Sequence, residues 1–298
     1  MNITLEQLEN LRKKIVKKQI IFIICTIAIT IALVLVTKII FMIPFPLIIG
    51  FIIGFIVTAK DQQKYTLWYK DYFVVKSLDK TFESVVYTPE KGLDEEIIAN
   101  TYMMDMGDDY YSNDFIQAKY KNVFFTQADV HITREETDTD SDGNTTTHDV
   151  TIFMGKWMIF DFNKKFKANI QVADKWFGNN CLYRRKGEEK FKKVEMESEA
   201  FNKKFLVYTQ LEHDAFYVLT PQMIDKIMNL STICNGRLMF CFIDDKLHIA
   251  INSYKDSFEP KSMFKKLDEN AVLADIQNEI KEITMFIDEL SHNSDLFM

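Results

Sequence analysis

The sequence predicts an α+β protein: an N-terminal two-helix transmembrane hairpin, followed by a soluble domain of mostly antiparallel strands with packed helices. Three observations lead to this prediction. Residues 20–57 are almost uninterruptedly apolar. Short runs rich in β-branched and aromatic residues dominate the middle of the chain. Helical patterns lie on both sides of those runs without a strict strand–helix alternation, which favours α+β over α/β.

The composition is that of a folded protein. The chain has 298 residues, of which 47% are hydrophobic, with only 9 Gly and 5 Pro, so it is not a disordered polypeptide. Its four cysteines form no C-x-x-C pair; they are Cys25, Cys181, Cys234 and Cys241. We therefore expect reduced thiols and neither a disulfide framework nor a zinc site.

The apolar stretch predicts two membrane spans. A helix rises about 1.5 Å per residue, so one crossing needs roughly 20 apolar residues. Lys38 and the helix-breaking prolines that follow it mark the turn. We predict one span from Ile20 to about Val36 and a second from about Pro44 to Ala59. Gly50 and Gly54 form a G-x-x-x-G pair that would let the spans approach closely.

This arrangement divides the chain into three predicted parts. Residues 1–18 form a basic amphipathic helix, with Thr4 and Gln7 at the spacing of a capping box. Residues 19–59 form the transmembrane hairpin. Residues 60–298 form a cytosolic α+β domain.

The distribution of basic residues predicts the orientation. Five of the first 18 residues are basic, and three lysines follow the second span, whereas the turn carries only Lys38. The positive-inside rule then places both termini in the cytoplasm, in a multi-pass protein of the plasma or inner cell membrane. A signal peptide is the competing explanation, but no small-residue cleavage site follows the first span and hydrophobicity resumes at once after Lys38.

Helical signals in the soluble part occur near its two ends and also between two of the strand patterns. Residues 61–87 are predicted to leave the membrane as a helix, which ends before Pro89, and residues 93–104 form a second helix. Thr220 and Pro221 begin a third helix, and residues 268–290 form a long amphipathic one.

Strand patterns lie between the second of these helices and the last, on both sides of the third. Six segments alternate or run apolar over short lengths: residues 114–120, 122–136, 148–163, 204–209, 237–244 and 246–254. The last two are joined by a tight turn at Asp244 and Asp245.

An aspartate-rich stretch raises the question of a calcium site. The acids fall at positions 1, 3, 5 and 12 of an EF-hand loop and are Asp138, Asp140, Asp142 and Asp149. The flanking segments alternate like strands, however, and Asp142-Gly143 is a favoured pair for a two-residue hairpin turn. We predict a solvated hairpin tip, with calcium binding as the alternative.

No other segment carries a catalytic or cofactor motif. The sequence has no H-E-x-x-H, no phosphate-binding glycine loop and no nucleophile motif. The five histidines show no metal-ligand spacing; they are His131, His148, His213, His248 and His292. We predict no cofactor and no catalytic residue, and the sequence leans against an enzyme.

Charge gives a weak clue to partners. The formal net charge is −7. Because residues 1–18 and Lys38 are basic, the soluble part carries about −11, which disfavours nucleic-acid binding. One stretch, 184–193, is nevertheless strongly basic, and its cations are Arg184, Arg185, Lys186, Lys190, Lys192 and Lys193. A solvated loop is the favoured interpretation, and contact with an anionic membrane surface is the alternative.

Several patterned segments together resemble a known family. An aromatic motif includes Phe153, Gly155, Trp157, Asp161, Phe162, Asn163, Lys164 and Phe166. It is followed by SEAFNKKFLVYT from Ser198, DAFYVLTPQMIDKI from Asp214, and SFEP at 257–260. From Tyr69 to Leu290 the chain resembles an uncharacterised family of bacterial membrane proteins, catalogued as a domain of unknown function and sometimes mislabelled galanin. The resemblance implies a bacterial membrane-anchored protein with a cytosolic domain, and it supplies no functional residues.

The aromatic motif has a structural interpretation. Phe153, Trp157 and Phe162 are expected to build core, and Gly155 within a strand predicts a bulge or a close backbone contact.

The favoured function is a membrane-anchored, non-enzymatic domain that acts as a protein-binding or membrane-associated scaffold. A calcium or small-ligand sensor using Asp138–Asp149 and a membrane-proximal hydrolase without identifiable catalytic residues are the alternatives. Expected partners are the lipid bilayer and a protein that the sequence does not identify. Self-association into a homo-oligomer also stays open.

Overall fold

A computed structural model describes residues 3–38, 43–162, 165–177 and 191–291. The chain divides into two compact units. The first, here called the helical unit, comprises Met1–Ser77 and Phe258–Gln277; the second, the sheet unit, comprises Leu78–Ser257 and Asn278–Met298. N-terminal helices and an antiparallel sheet make the protein α+β, so the predicted fold class is confirmed.

Two long helices dominate the helical unit. The helical segments near the N-terminus are α1 (Leu5–Thr37), α2 (Pro44–Tyr69), a π-helical stretch (Lys70–Val74) and α3 (Val75–Thr81). The predicted capping box is confirmed, because the Thr4 hydroxyl accepts from the Gln7 amide and the Gln7 side chain accepts from the Thr4 amide. Lys38 ends α1 in the left-handed conformation, with φ 57°.

The sheet unit is built on one antiparallel sheet. Its described strands are β1 (Glu83–Thr88), β2 (Asp109–Tyr120), β3 (Val123–Thr139), β4 (Thr145–Asp161), β5 (Ile170–Asp174), β6 (Lys192–Val194), β7 (Phe205–Thr209), β8 (Arg237–Ile243) and β9 (Lys246–Asn252). Their order across the sheet is β1-β2-β3-β4-β9-β8-β5-β7-β6. The tight turn predicted at Asp244 and Asp245 is confirmed, since Ile243 pairs with Lys246 and leaves two residues between the strands.

The remaining helices follow or separate these strands. They are α4 (Glu95–Ala99), a 3-10 turn (Lys175–Phe177), α5 (Glu199–Lys204), α6 (Glu212–Val218), α7 (Pro221–Ile233) and α8 (Glu269–Ser291). The predicted start of α7 is confirmed, since the Thr220 hydroxyl accepts from the Met223 amide and Pro221 is the first helical residue. The predicted long C-terminal helix is confirmed as α8.

Two helix predictions were wrong in extent. The helix predicted over 61–87 stops at Thr81, because the β-branched segment 83–88 pairs with β2 instead. The helix predicted over 93–104 is only α4, since Met103 and Met104 enter the core beneath the sheet.

The core confirms the structural role of the aromatic motif. Phe153, Trp157 and Phe162 are almost completely buried. Phe153 and Trp157 pack edge to face, with ring centroids 5.8 Å apart, in a cluster that includes Ala128 and Val130 of β3.

Gly155 is required by a close approach of β4 to β9. Its φ is +154°, and a Cβ at this position would lie 2.1 Å from the Ile251 carbonyl oxygen. Any side chain would therefore combine backbone strain with a clash against main-chain atoms. The predicted close backbone contact is confirmed.

Replacing Gly155 by Ala is expected to lower the free energy of unfolding by roughly 3 kcal/mol, because strain and overpacking add. Urea unfolding of the full chain in detergent, followed by tryptophan fluorescence, measures this loss. Gly143→Ala is the matched control: Gly143 has φ +84° but nothing within 4 Å of an added Cβ. It should cost only about 1 kcal/mol, and equal losses in the two variants would contradict the role of the Ile251 contact.

Candidate functional site: an apolar helix pair and its charged base

Helices α1 and α2 pack against each other in antiparallel directions. A Cβ on Gly50 would lie 2.2 Å from the Thr26 Oγ1, and one on Gly54 would lie 3.4 Å from the Phe22 Cβ. The two backbones thus approach most closely where α2 carries glycine, as expected of a small-residue contact between membrane helices. The predicted G-x-x-x-G pair faces the first arm.

Threonine hydroxyls within the helix pair donate to backbone carbonyls of their own helix. The hydroxyl of Thr26 donates to the Phe22 carbonyl, and the hydroxyl of Thr30 donates to the Thr26 carbonyl. Thr58 likewise donates to the Gly54 carbonyl. Helices that meet their own hydrogen-bonding needs can enter a hydrocarbon environment without leaving polar groups unpaired.

The outer faces of both helices are apolar and exposed. Leu35 and Val36 of α1 are 72% and 82% exposed, and Phe51 and Ile56 of α2 are 73% and 65% exposed. Both helices are long and apolar enough to cross a membrane. Exposed apolar area on this scale is typical of a membrane or protein contact.

Charged residues begin where the apolar stretches end. The Lys18 ammonium lies 2.6 Å from the Asp61 carboxylate, and Lys14 lies 3.8 Å from the same group. The hydrogen bond from Lys18 is the main cause that lowers the pKa of Asp61. This ion-paired cluster joins the two helices immediately outside residues 20–59.

Farther from the apolar stretches, α1 binds the segment that precedes α8. Arg12 is buried, pairs with Glu9 at 2.8 Å, and donates to the Met263 carbonyl. The Glu9 carboxylate also accepts from the backbone of Leu267. The Arg12 hydrogen bond is the main cause that lowers the pKa of Glu9. These contacts fix residues 263–267 against α1.

The sheet unit contains a separate buried charge cluster. The Asp129 side chain accepts from both the amide and the hydroxyl of Ser257, the latter at 2.8 Å. Burial, and then the nearby charge of Asp114, raise the pKa of Asp129 to about 7. Lys156 on β4 lies 2.5 Å from Glu282 of α8, and this carboxylate raises the pKa of Lys156 although burial opposes it.

Sequence inspection missed this cluster. The signal was present in β3, where Gln127 and Asp129 alternate with Ala128 and Val130 at positions that are all buried. A polar residue at every second place of a buried strand marks a polar row on one sheet face.

The core also contains several uncharged polar side chains that form hydrogen bonds, including that of Trp157. Its indole Nε1 donates to the Nδ1 of His248 at 3.1 Å. Burial lowers the pKa of His248 to about 4, so the ring is neutral at physiological pH. Cys241 is fully buried and lies 3.0 Å from the Asn169 Oδ1, and burial raises the pKa of its thiol. These side chains are packed core groups.

The aspartate-rich stretch is the tip of the β3–β4 hairpin. The last paired residues are Thr139 and Thr145, so the connecting loop is longer than the predicted two-residue turn. The hydrogen bond from the Asn144 side chain is the main cause that lowers the pKa of Asp140, which also accepts from the backbone amides of Asn144 and Asp142. The Asp140 carboxylate therefore stabilises the turn itself.

The other two aspartates lie on the paired strands below the tip. Asp138 lies 3.7 Å from His148, and Asp149 is opposite Glu135. Among the described residues, no group of three His, Cys, Asp or Glu side chains could hold a metal ion. Calcium binding by this hairpin stays a prediction.

Two of the histidines lie on the β3–β4 hairpin. His131 pairs with Met154 and His148 with Glu136, so the two histidines that flank the hairpin lie well apart along the ribbon.

Of the predicted membrane-surface cations, Lys192 and Lys193 are exposed on β6. The other four lie outside the described residues: Arg184, Arg185, Lys186 and Lys190.

Comparison with known proteins gives a family without an assigned activity. Residues 151–292 match the family described as "Protein of unknown function (DUF3137)". This match confirms the predicted resemblance, over a segment that begins at residue 151 and not near Tyr69. No curated protein matches the chain.

One solved structure has a low structural similarity to this chain. It is the crystal structure of the mycobacterial trehalose monomycolate transport factor A, TtfA, with a TM-score of 0.37 and 8% sequence identity, covering 75% of this chain and 92% of that chain. A similarity of this size supports no conclusion about function.

The packing of α1 on α2 predicts a specific cross-link. Replacing Phe22 and Gly54 by Cys should produce an intrachain disulfide on oxidation, because the two Cβ positions are 3.4 Å apart, close to disulfide geometry. Thiol counting by mass spectrometry, in a Cys25→Ser background, measures it. The matched pair Ile24→Cys with Gly54→Cys should stay reduced, since Ile24 lies 60% exposed on the outer face. Oxidation of both pairs would contradict this packing.

The buried Asp129 predicts a pH-dependent stability. Its pKa in the fold is about 7, so the folded chain keeps a proton that the unfolded chain releases near pH 4, and stability falls as the pH rises between these values. Asp129→Asn has no such proton. Its stability relative to the parent should therefore rise by about 1.4 kcal/mol per pH unit between pH 5 and 7.

Urea unfolding of both chains at several pH values measures that difference. Asp225→Asn, at an exposed position of α7, is the control and should differ from the parent by a constant amount. A constant difference for Asp129→Asn as well would show that Asp129 does not retain a proton in the fold.

Proposed function

We propose that the chain is a membrane-anchored, non-enzymatic module. In this proposal α1 and α2 both cross the bilayer, both termini lie in the cytoplasm, and the sheet unit binds a protein partner or the inner leaflet. The observation that carries the proposal is the pair of antiparallel helices whose outer faces, over residues 20–36 and 44–57, are apolar and exposed. Exposing such faces to water is energetically unfavourable, whereas hydrocarbon accommodates them without that penalty.

The charged base of the helix pair supports the orientation. Lys14 and Lys18 precede the first apolar stretch, and Lys60 and Lys64 follow the second. The described part of the opposite turn carries Lys38 alone as a charged residue. A basic flank on one side of the helix pair favours the cytoplasm for that side.

The enclosure of the charged core groups favours a non-enzymatic role. Asp129 is 1% exposed and Lys156 is 8% exposed, and each is paired, with Ser257 and Glu282 respectively. A substrate would have to displace Ser257 to reach Asp129 and Glu282 to reach Lys156. Buried pairs of this kind more readily specify a fold than catalyse a reaction.

An apolar surface on the sheet unit supports a protein partner. Leu211, Phe216 and Tyr217 lie within seven residues of each other and are 49%, 43% and 61% exposed. Large apolar and aromatic side chains grouped on a surface are characteristic of protein interfaces.

The proposed topology predicts which cysteines a membrane-impermeant maleimide can reach. In a background in which the native cysteines are replaced by Ser, Lys38→Cys at the turn should be labelled on intact cells. Asp142→Cys at the hairpin tip should be labelled only after permeabilisation. Labelling of the Asp142 variant on intact cells, or release of the chain from membranes by carbonate, would contradict the proposal.

A further inference from the structure

A groove runs along the contact between α1 and α2. It has a volume of about 420 Å³, within the range of ligand-binding pockets. Its walls are mainly apolar, and Phe22, Ile27, Phe51 and Phe55 contribute to them. If the helix pair lies in the bilayer as proposed above, this groove opens toward lipid.

The lining of the groove includes a residue from a distant part of the sequence. Phe264 lines the groove together with Gln19 and Gln62, and it is 62% exposed. Gln19 directly precedes the first apolar stretch and Gln62 follows the second by a few residues. Phe264 therefore lies at the level where both helices change from apolar to charged. In a membrane protein this level corresponds to the membrane–water interface, where aromatic side chains are enriched.

The segment that carries Phe264 is also basic. Lys265 and Lys266 follow it, are exposed, and form no ion pair with a described residue. Lys17 of α1 and Lys60 of α2 are likewise exposed and unpaired among the described residues, at the same end of the helix pair. Each of these four lysines is thus one or two residues in sequence from Phe264, Gln19 or Gln62, the residues that line the polar end of the groove.

We propose that this groove binds one anionic phospholipid. An acyl chain lies between α1 and α2 against Phe51 and Phe55, and the headgroup is held by Lys265 and Lys266, with Phe264 inserted at the interface. Charge selects the ligand, because lysines near a membrane surface attract anionic headgroups and do not favour zwitterionic ones. The contacts of Arg12 with Met263 and of Glu9 with Leu267 keep the segment in place for this role.

The experiment counts the lipids that the full chain retains. The chain is reconstituted in vesicles of equal parts phosphatidylglycerol and phosphatidylcholine, extracted in mild detergent and measured by native mass spectrometry. The parent should retain one phosphatidylglycerol in preference to phosphatidylcholine. Lys265→Gln with Lys266→Gln should lower the retained ratio of the two lipids by about tenfold, and Phe264→Ala should reduce retention of both.

Matched controls separate a local site from a general charge effect. Lys80→Gln with Lys281→Gln removes the same charge from exposed positions of the sheet unit, and Phe124→Ala removes an exposed aromatic ring there. Both should retain lipid as the parent does. An equal loss in these controls, no preference for phosphatidylglycerol in the parent, or a second copy of the chain in place of lipid would each overturn the proposal.

The same samples distinguish this inference from the proposed membrane anchoring. A chain that floats with the vesicles but shows no lipid preference would refute the lipid site and leave the anchor intact. A chain that fails to float would refute the anchor itself.

Discussion

The close contact of α1 with α2 is the interaction on which the helical unit depends. Apolar side chains gain little from meeting each other inside a bilayer, because lipid is equally apolar, so two membrane helices associate through close packing. Gly50 supplies that closeness, since Thr26 occupies the space a side chain would need. The Lys18–Asp61 pair then fixes the register just outside the apolar stretches. Packing and charge together determine the register of α1 against α2, that is, which residues of the two helices lie side by side.

The sheet unit relies on a different constraint: charged and polar side chains that have been removed from water must find partners inside the fold. Lys156 and Asp129 face each other across β3 and β4, and each finds a partner from outside that strand pair. Breaking such a pair leaves a buried charge without compensation, which costs far more than an intact pair contributes. Gly155, next to Lys156, allows the close approach of β9 to β4. These contacts hold Ser257 and Glu282, within the sheet unit, against β3 and β4.

Local signals explain what the sequence could predict. The capping box at Thr4, the turn at Asp244 and the start of α7 at Pro221 each depend on residues a few positions apart, and all three are confirmed. The charge cluster could not be predicted in the same way, because Ser257 is 128 residues from Asp129 and Glu282 is 126 residues from Lys156. The strand β1 was missed for a related reason: its β-branched residues favour a strand, but its partner β2 lies about 30 residues further along the chain.

The net charge of the chain appears at first to oppose binding to an anionic leaflet, since the part outside residues 1–18 and Lys38 is strongly acidic. At physiological ionic strength, however, exposed charges act over about 8 Å. Only residues within that distance of the headgroups contribute, and the residues nearest the apolar stretches are Lys17, Lys18 and Lys60. Asp61, the acid closest to them, is already paired with Lys18. In the proposed membrane-anchored arrangement, local charge at the base of the helix pair therefore determines the attraction to anionic lipid, and the acidity of the rest of the chain has little influence on it.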